Sequence, residues 1–211
     1  MTPAQVRIAV CDYGVGNLHS VRRALEHAGA VVTVTGDDAQ LDAADGVVLP
    51  GVGAFGPAAQ RLRDSGLDRT ITAVVERGRP LLGVCLGFQL LYEESEESGG
   101  SRGLGLLAGT VTRIPSTSVK VPHMGWNRIR QTAPCSLFEG IPDGSYGYFV
   151  HSYAAAVSPA TVAVTEYAGE LTAAVASGSI LGTQFHPEKS GSVGLQMYRN
   201  FVSLCSVVHA K

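Results

Sequence analysis

The segment that limits the fold most strongly is residues 81–89, Leu-Leu-Gly-Val-Cys-Leu-Gly-Phe-Gln. Its residue pattern changes from strand-like to helix-like at a single cysteine. Leu81–Val84 is a short apolar run typical of a buried strand, and the spacing predicts a helix over Leu86–Glu97. Cys85 lies between them, flanked two residues away by Gly83 and Gly87. A sharp strand-to-helix turn strains the backbone and leaves no room for neighbouring side chains, and glycine meets that requirement. The segment therefore predicts a cysteine raised on a strand–turn–helix elbow.

The rest of the first half alternates short apolar runs with helical spacing. Runs that predict strands are Val6–Cys11, Val31–Thr35 and Gly46–Leu49, the last stopped by Pro50; helical spacing covers Leu18–Ala28, closed by Gly29, and Pro57–Arg77 in two pieces broken near Gly66. Strands separated by helices pair in parallel through right-handed crossovers. We expect an α/β fold, a mainly parallel open sheet with helices on both faces.

The second half has a different pattern, with short strands joined by turns. Predicted strands are Thr110–Ile114, Asn127–Arg130, Tyr146–Tyr153, Thr161–Tyr167, Thr172–Ala176 and Ile180–Gln184, with a hairpin at Gly169 and a final helix from about Val193 to Cys205. We expect a small antiparallel β portion beside the parallel core. At 211 residues, we treat residues 1–211 as a single domain.

Composition excludes several classes of protein. A formal net charge of −2 gives no electrostatic footprint for nucleic acid. The N-terminal residues lack the layout of a signal peptide, and no apolar run has the length of a membrane span. The four cysteines form no Cys-x-x-Cys pair, which argues against a disulfide framework and a zinc site. We expect a cytoplasmic protein that binds neither nucleic acid nor a membrane.

Cys85 is the candidate nucleophile. At the start of a helix its sulfur lies near aligned N–H groups that favour a thiolate. The N–H of Leu86, the next residue, is the natural first donor of an oxyanion hole. Taken alone, Gly-x-Cys-x-Gly is equally compatible with a buried structural cysteine. Nothing comparable surrounds the other three cysteines, which we interpret as small apolar or loop residues.

His186 is the candidate base, in the segment Gln-Phe-His-Pro-Glu-Lys of residues 184–189. It follows a predicted strand, and open α/β sheets place functional groups at the carboxyl ends of their strands. Pro187 favours an extended backbone at His186, so that Glu188 can accept the second imidazole N–H. Alone, this segment is also compatible with a structural histidine in a polar loop.

Together, the elbow cysteine and the downstream His-Pro-Glu resemble the class I (triad) glutamine amidotransferases, a family with a flavodoxin-like fold. The resemblance implies Cys85 as nucleophile, His186 as general acid and base, and Glu188 as the residue that orients it. It also implies that Gln89, in Cys-Leu-Gly-x-Gln, helps to hold the substrate L-glutamine.

Within that family the chain is similar to the glutaminase subunits of imidazole glycerol phosphate synthase. The segments that carry this similarity are residues 12–18 (DYGVGNL), 50–53 (PGVG), 120–127 (KVPHMGWN), 148–153 (YFVHSY) and 184–190 (QFHPEKS). The resemblance implies hydrolysis of glutamine to glutamate and ammonia through a γ-glutamyl thioester. It also implies a heterodimer with a (β/α)8-barrel cyclase subunit, which uses the ammonia to make imidazole glycerol phosphate and an aminoimidazole carboxamide ribotide in histidine biosynthesis. No metal or organic cofactor is expected.

The same resemblance implies roles for further residues. We expect the oxyanion hole to be completed by backbone groups of Val52 and Gly53, and we expect Gly51 to contact glutamine. The glutamine pocket is expected to be lined by backbone groups of His151, Ser152 and Tyr153. Glu97 is either a contact for the substrate ammonium or a solvated carboxylate at a helix end. Expected contacts with the cyclase are Asn17, Trp126, Tyr148 and Lys189, where Trp126 is alternatively a core anchor in a turn-rich stretch.

Three other functions remain open from the sequence. One is a glutaminase subunit of another synthase, such as those of the pyridoxal phosphate, purine, anthranilate or folate pathways. The others are a free-standing thiol hydrolase and a non-catalytic regulatory subunit on the same fold. We also expect the isolated chain to be nearly idle, because ammonia released without an acceptor would be wasted.

Overall fold

The computed structural model describes residues 5–117 and 119–209. In chain order the strands are β1 (Arg7–Cys11), β2 (Val31–Thr35), β3 (Gly46–Gly51), β4 (Leu81–Cys85), β5 (Tyr92–Ser95), β6 (Ser101–Arg102), β7 (Leu107–Arg113), β8 (His123–Arg128), β9 (Arg130–Gln131), β10 (Tyr146–His151), β11 (Tyr153–Ala155), β12 (Thr161–Glu166), β13 (Glu170–Ser177) and β14 (Ile180–Thr183). The α-helices are α1 (Leu18–His27), α2 (Asp38–Asp42), α3 (Phe55–Ser65), α4 (Leu67–Glu76), α5 (Leu86–Gln89) and α6 (Gly191–His209).

An eight-stranded sheet forms the centre, in the order β2-β1-β3-β4-β14-β13-β12-β9. Its first five strands are parallel, and β13, β12 and β9 extend it in antiparallel fashion. The predicted hairpin at Gly169 joins β12 to β13. Two smaller sheets lie beside it, the antiparallel pair β8–β10 and the four-stranded sheet β11-β7-β5-β6. The expected parallel core with an antiparallel portion is confirmed.

The parallel strands bury both of their faces, as their continuous apolar runs require. Ile8 and Val10 of β1 belong to the core on the side of α1 and α6, whereas Ala9 and Cys11 belong to the core on the side of α2, α3 and α4. Because successive strand residues point to opposite faces, one apolar strand supplies both cores. Helices therefore cover both faces of the sheet, as predicted.

The predicted helix over Leu86–Glu97 is wrong beyond its first turn. Helix α5 ends at Gln89, and the chain then forms β5 and a 3₁₀ turn at Glu97–Gly99. The carbonyls of Leu90 and Leu91 accept N–H groups from the segment of residues 104–107, at 2.8–2.9 Å. These long-range bonds replace the carbonyl bonds that a continuing helix would make, so tertiary pairing overrides local propensity.

Other boundaries also differ from the prediction. Strand β3 continues through Pro50 to Gly51, and the predicted strand Asn127–Arg130 is instead β8 followed by the short β9. Trp126 therefore lies within a strand and not in a turn-rich stretch. Within the described ranges, no helix has both the length and the apolar character needed to cross a bilayer.

Gly46 provides a test of how tightly β3 packs against α6. A Cβ atom at Gly46 would lie 2.3 Å from the Cys205 sulfur and 3.3 Å from Phe201. We predict that Gly46→Ala lowers the free energy of unfolding by about 1–3 kcal/mol, because the core is overpacked. Adding Cys205→Ala removes the clashing sulfur and should recover most of that loss in urea denaturation. Purely additive effects of the two substitutions would contradict this packing.

Candidate active site

The predicted functional residues meet at the carboxyl ends of three neighbouring parallel strands. Gly51 at the end of β3 lies opposite Cys85 at the end of β4, and β14 next to β4 leads into His186. A cavity of about 330 Å³ opens there. Among its lining residues are Val52, Gly53, Cys85, Leu86, Gln89, Glu97, His151, Ser152, Tyr153 and His186. This is where open parallel sheets bind ligands.

The elbow at Cys85 has the strained backbone that the glycine spacing predicts. Cys85 has φ 55° and ψ −110°, outside the helical and strand regions. A Cβ atom at Gly87 would lie 1.8 Å from the carbonyl oxygen of Leu49, and one at Gly83 would lie 2.8 Å from the Cα of Phe88. Any other residue at either position would push the elbow away from the sheet. The two glycines therefore allow the turn that raises the cysteine sulfur into the cavity.

His186 and Glu188 form a buried pair behind the cysteine. Nδ1 of His186 lies 2.8 Å from Oε1 of Glu188, and the two side chains are 2% and 1% exposed. Because a carboxylate accepts hydrogen bonds, this contact places a proton on Nδ1. Asn17 donates to the same Glu188 oxygen at 3.3 Å, and the buried Tyr198 phenol also faces this carboxylate. Several groups thus compensate for the burial of the Glu188 charge.

Nε2 of His186 is buried and has no hydrogen-bond partner among the described residues. Burial alone would lower the pKa of His186, but the Cys85 sulfur and the Glu188 carboxylate raise it to about 9. The Cys85 sulfur and the Glu188 carboxylate thus both favour the protonated form of the imidazole. Helix α5 has only one turn, so a helix dipole contributes little at Cys85.

The backbone of His186 is also fixed from the neighbouring strand β10. Its N–H donates to the carbonyl of Tyr148 at 2.9 Å. The Ser190 hydroxyl donates to the carbonyl of His186 at 2.7 Å and accepts the N–H of Tyr148 at 3.0 Å. Sequence analysis did not predict a role for Ser190 because nothing in a lone serine indicates these partners.

The other cysteines lie in different surroundings. Burial, followed by the nearby Asp12 and Asp38, raises the pKa of the Cys11 thiol to about 12. Burial also raises the pKa values of Cys135 and Cys205. None of the three lines the cavity at Cys85.

The loop after β3 forms the wall opposite the elbow. Gly51 does not line the cavity; a Cβ there would lie 2.7 Å from the backbone nitrogen of Gly87. Val52 is 40% exposed, and Gly53 has φ +92°, a conformation that favours glycine. The Tyr13 hydroxyl donates to the carbonyl of Pro50 at 2.8 Å and anchors the end of β3 just before this loop, a contact that sequence analysis missed. As the first residue of α5, Leu86 has no helical acceptor for its N–H.

The pocket residues predicted for glutamine line the same cavity. Gln89 donates both amide hydrogens, to the carbonyl of Tyr153 and to Oε1 of Gln184, each at 2.9 Å. Its Oε1 is thereby left as the acceptor. Glu97 lies on the 3₁₀ turn and not on a helix end, and its Oε2 accepts the N–H of Phe55 at 2.7 Å. Sequence analysis did not predict Pro122 and Val150, which also line the cavity.

Three of the four expected partner contacts form one surface cluster. Trp126 is 56% exposed, which rules out a core anchor, and its ring meets the edge of Tyr148 at 6.0 Å between centroids. The Lys189 ammonium lies 5.6 Å from the centre of the Tyr148 ring. Asn17 is instead half-buried and holds Glu188. We call Trp126, Tyr148 and Lys189 the aromatic patch.

Comparisons with known proteins show the family of this chain. The family model described as "Glutamine amidotransferase class-I" matches residues 9–204. The imidazole glycerol phosphate synthase subunit HisH of Methanosarcina mazei is 50% identical over 202 residues, covering 94% of this chain and 99% of the relative. The HisH subunit of Moorella thermoacetica is also 50% identical, over 93% of this chain and 94% of the relative.

Solved structures show the same fold at low sequence identity. A putative GMP synthase protein from Thermoplasma acidophilum superposes with a TM-score of 0.73 at 22% identity, covering 98% of this chain and 97% of that one. The PurLQS structure from Thermotoga maritima superposes with a TM-score of 0.74 at 20% identity, covering 99% of this chain and 100% of that one. By its family match and its relatives, the chain belongs to the class-I glutamine amidotransferases and, within them, to the HisH group of imidazole glycerol phosphate synthase subunits.

Proposed function

We propose that this chain is the glutaminase subunit of an imidazole glycerol phosphate synthase, in which Cys85, His186 and Glu188 act together. The observation that carries the proposal is the buried Glu188–His186 pair, whose imidazole has its unbonded Nε2 on the side of the Cys85 sulfur. A nucleophile, a base and an orienting carboxylate in this order are the parts needed for acyl transfer.

In the first half of the reaction, the Cys85 thiolate attacks the side-chain carbonyl carbon of glutamine. A carbon–sulfur bond forms, and the carbonyl electrons move to oxygen. When the tetrahedral intermediate collapses, the carbon–nitrogen bond breaks and His186 gives its proton to the departing ammonia. The product is a γ-glutamyl thioester on Cys85.

In the second half, water attacks the thioester while neutral His186 removes a proton from it. The carbon–sulfur bond breaks, glutamate leaves, and the thiolate and imidazolium are restored. In this assignment, the N–H of Leu86 and the backbone of the Val52–Gly53 loop donate hydrogen bonds to the oxyanion. The Oε1 atom of Gln89 accepts a hydrogen bond from the substrate amine. Gly51, His151, Ser152 and Tyr153 complete the proposed glutamine site.

We further propose that ammonia passes to a (β/α)8 cyclase subunit in a cytoplasmic heterodimer. The aromatic patch supports this partner, because an exposed tryptophan packed against a tyrosine is typical of the centre of an interface. Asn17 is assigned to the same partner only through the resemblance to the subunit family, since in the structure it bonds Glu188. That the isolated chain is nearly idle stays a prediction.

The alternative functions have less support. The relatives at 50% identity are HisH subunits, whereas the superposed purine and GMP synthase structures share 20–22% identity. A non-catalytic subunit would not require a strained cysteine elbow beside a buried histidine–carboxylate pair.

Removal of the nucleophile gives the first test. In the presence of the cyclase subunit and its nucleotide, Cys85→Ala should lower the rate of glutamate release at least about a thousandfold, because no thioester can form. Cys135→Ala, which removes a half-buried thiol outside the cavity, should keep the rate within about twofold. Comparable activity in Cys85→Ala would contradict the assignment of the nucleophile.

The raised pKa of His186 predicts how stability depends on pH. Between the ordinary value of 6.5 and the folded value of about 9, the folded chain holds a proton that the unfolded chain releases. This contribution to stability is therefore complete below about pH 6.5 and is lost as the pH rises through about 9. Denaturant unfolding should show a decrease over this window that is much smaller in His186→Gln. An equal decrease in the free energy of unfolding of the wild type and of His186→Gln would contradict the raised pKa of His186.

The partner surface can be tested by binding. Trp126→Ala should raise the Kd for the cyclase subunit at least about tenfold, because a central tryptophan is a common hot spot. Val207→Ala, an exposed apolar position on α6, is the matched control and should change the Kd less than about twofold. Equal effects of the two substitutions would place the interface elsewhere.

A further inference from the structure

Two buried histidines outside the catalytic triad face each other across the strand pair β8–β10. His123 and His151 are opposite each other in the antiparallel register. Nδ1 of His123 lies 3.0 Å from Nε2 of His151. At the far end, Nε2 of His123 lies 3.2 Å from the side-chain nitrogen of Asn127. The three side chains form one chain of hydrogen bonds, which we call the histidine relay.

Carbonyl groups at both ends fix the direction of the relay. His151 Nδ1 lies 2.8 Å from the carbonyl oxygen of Tyr153, which can only accept, so Nδ1 carries the proton. The Asn127 amide nitrogen also lies 3.0 Å from the carbonyl of Glu166, so the nitrogen is the donor there and towards His123. Each neutral ring then has its proton on Nδ1: Asn127 donates to His123, His123 to His151, and His151 to Tyr153.

The surroundings keep both rings neutral and in place. His123 and His151 are 3% and 6% exposed. The His123 ring is stacked between Phe149 and Tyr167, at 4.7 and 3.9 Å between centroids. Burial lowers the pKa of each histidine to about 4. A second proton on either ring would place two N–H groups against each other at one of these contacts.

The relay ends at a group that belongs to the proposed glutamine site. The Tyr153 carbonyl accepts both His151 Nδ1–H and one amide hydrogen of Gln89, at 2.8 and 2.9 Å. Gln184 takes the other hydrogen of Gln89. Together these contacts fix which end of the Gln89 amide faces the cavity. If the Tyr153 carbonyl turned away, Gln89 would lose a partner and could present its nitrogen instead.

We propose that His123 and His151 are positioning residues for glutamine: through the Tyr153 carbonyl they hold Gln89 with its oxygen towards the substrate amine. This inference rests on the proposed glutaminase function. It adds to the triad a pair of histidines that binds no proton during the reaction and touches no reacting atom. The relay begins on β8, the strand that carries Trp126 on its exposed side.

Three variants separate hydrogen bonding from packing. His123→Leu removes the relay donor. His123→Asn keeps an amide N–H at the position of Nδ1, so it should restore the bond to His151. Phe149→Leu disturbs the same aromatic stack and leaves every relay group intact. Glutamate release, assayed with the cyclase subunit present, gives KM and kcat for each.

We expect His123→Leu to raise the KM for glutamine about tenfold with kcat changed less than about threefold, since loss of a buried hydrogen bond misplaces a binding group and not the triad. His123→Asn should return KM to within about threefold of wild type, and Phe149→Leu should leave KM near the wild-type value. Equal KM increases in His123→Leu and Phe149→Leu, or no rescue by His123→Asn, would overturn the positioning role.

Nitrogen-15 NMR of the histidine rings tests the relay without turnover. Both rings should show a protonated Nδ1 and an unprotonated Nε2 at neutral pH, and His151 should lose this single tautomer in His123→Leu. A proton on Nε2 of His151 in the wild type would overturn the relay. If the wild type released no glutamate, the proposed function and the glutamine role would fail together, while the NMR result would still decide whether the relay exists.

Discussion

The close contact between the elbow and strand β3 is the constraint on which the site depends. Gly87 passes so near the carbonyl of Leu49 that no side chain fits between them, and this contact holds Cys85 in a backbone conformation that an isolated peptide would avoid. The parallel sheet sets the distance between the two strands. Because β3 and β14 flank β4, the same pairing that builds the core also brings His186 and the Val52–Gly53 loop, the proposed oxyanion loop, to the cavity at Cys85.

The second half of the chain supplies His186 and Glu188, the proposed partners of the Cys85 sulfur, and the strand that holds them. Strand β10 bonds the backbone of His186 through Tyr148, whose ring belongs to the aromatic patch. The same strand carries His151, which reaches the pocket wall at Tyr153. One short strand pair thus contacts the proposed partner surface, the proposed general base and the proposed glutamine site.

Sequence alone predicted the features that depend on local sterics. The spacing of Gly83, Cys85 and Gly87 encodes the elbow, and Pro187 with Glu188 encodes the orientation of His186, so both could be inferred before the fold was known. The length of α5 could not, because the apolar run after Gln89 suits a helix as well as a strand until the segment of residues 104–107 is paired with it. Asn17 meets Glu188 across 171 positions of sequence, and the histidine relay depends on strand register; no local pattern shows either.

The covalent intermediate is the most direct test of the account, because it requires the elbow, the triad and the substrate site at once. We would incubate the chain with L-glutamine and the cyclase subunit, quench in acid, and examine the peptide that contains Cys85 by mass spectrometry. A single γ-glutamyl group on Cys85, absent after Cys85→Ala, is the predicted result. Release of glutamate with no adduct at Cys85, or an adduct on another residue, would contradict the proposed role of the elbow cysteine.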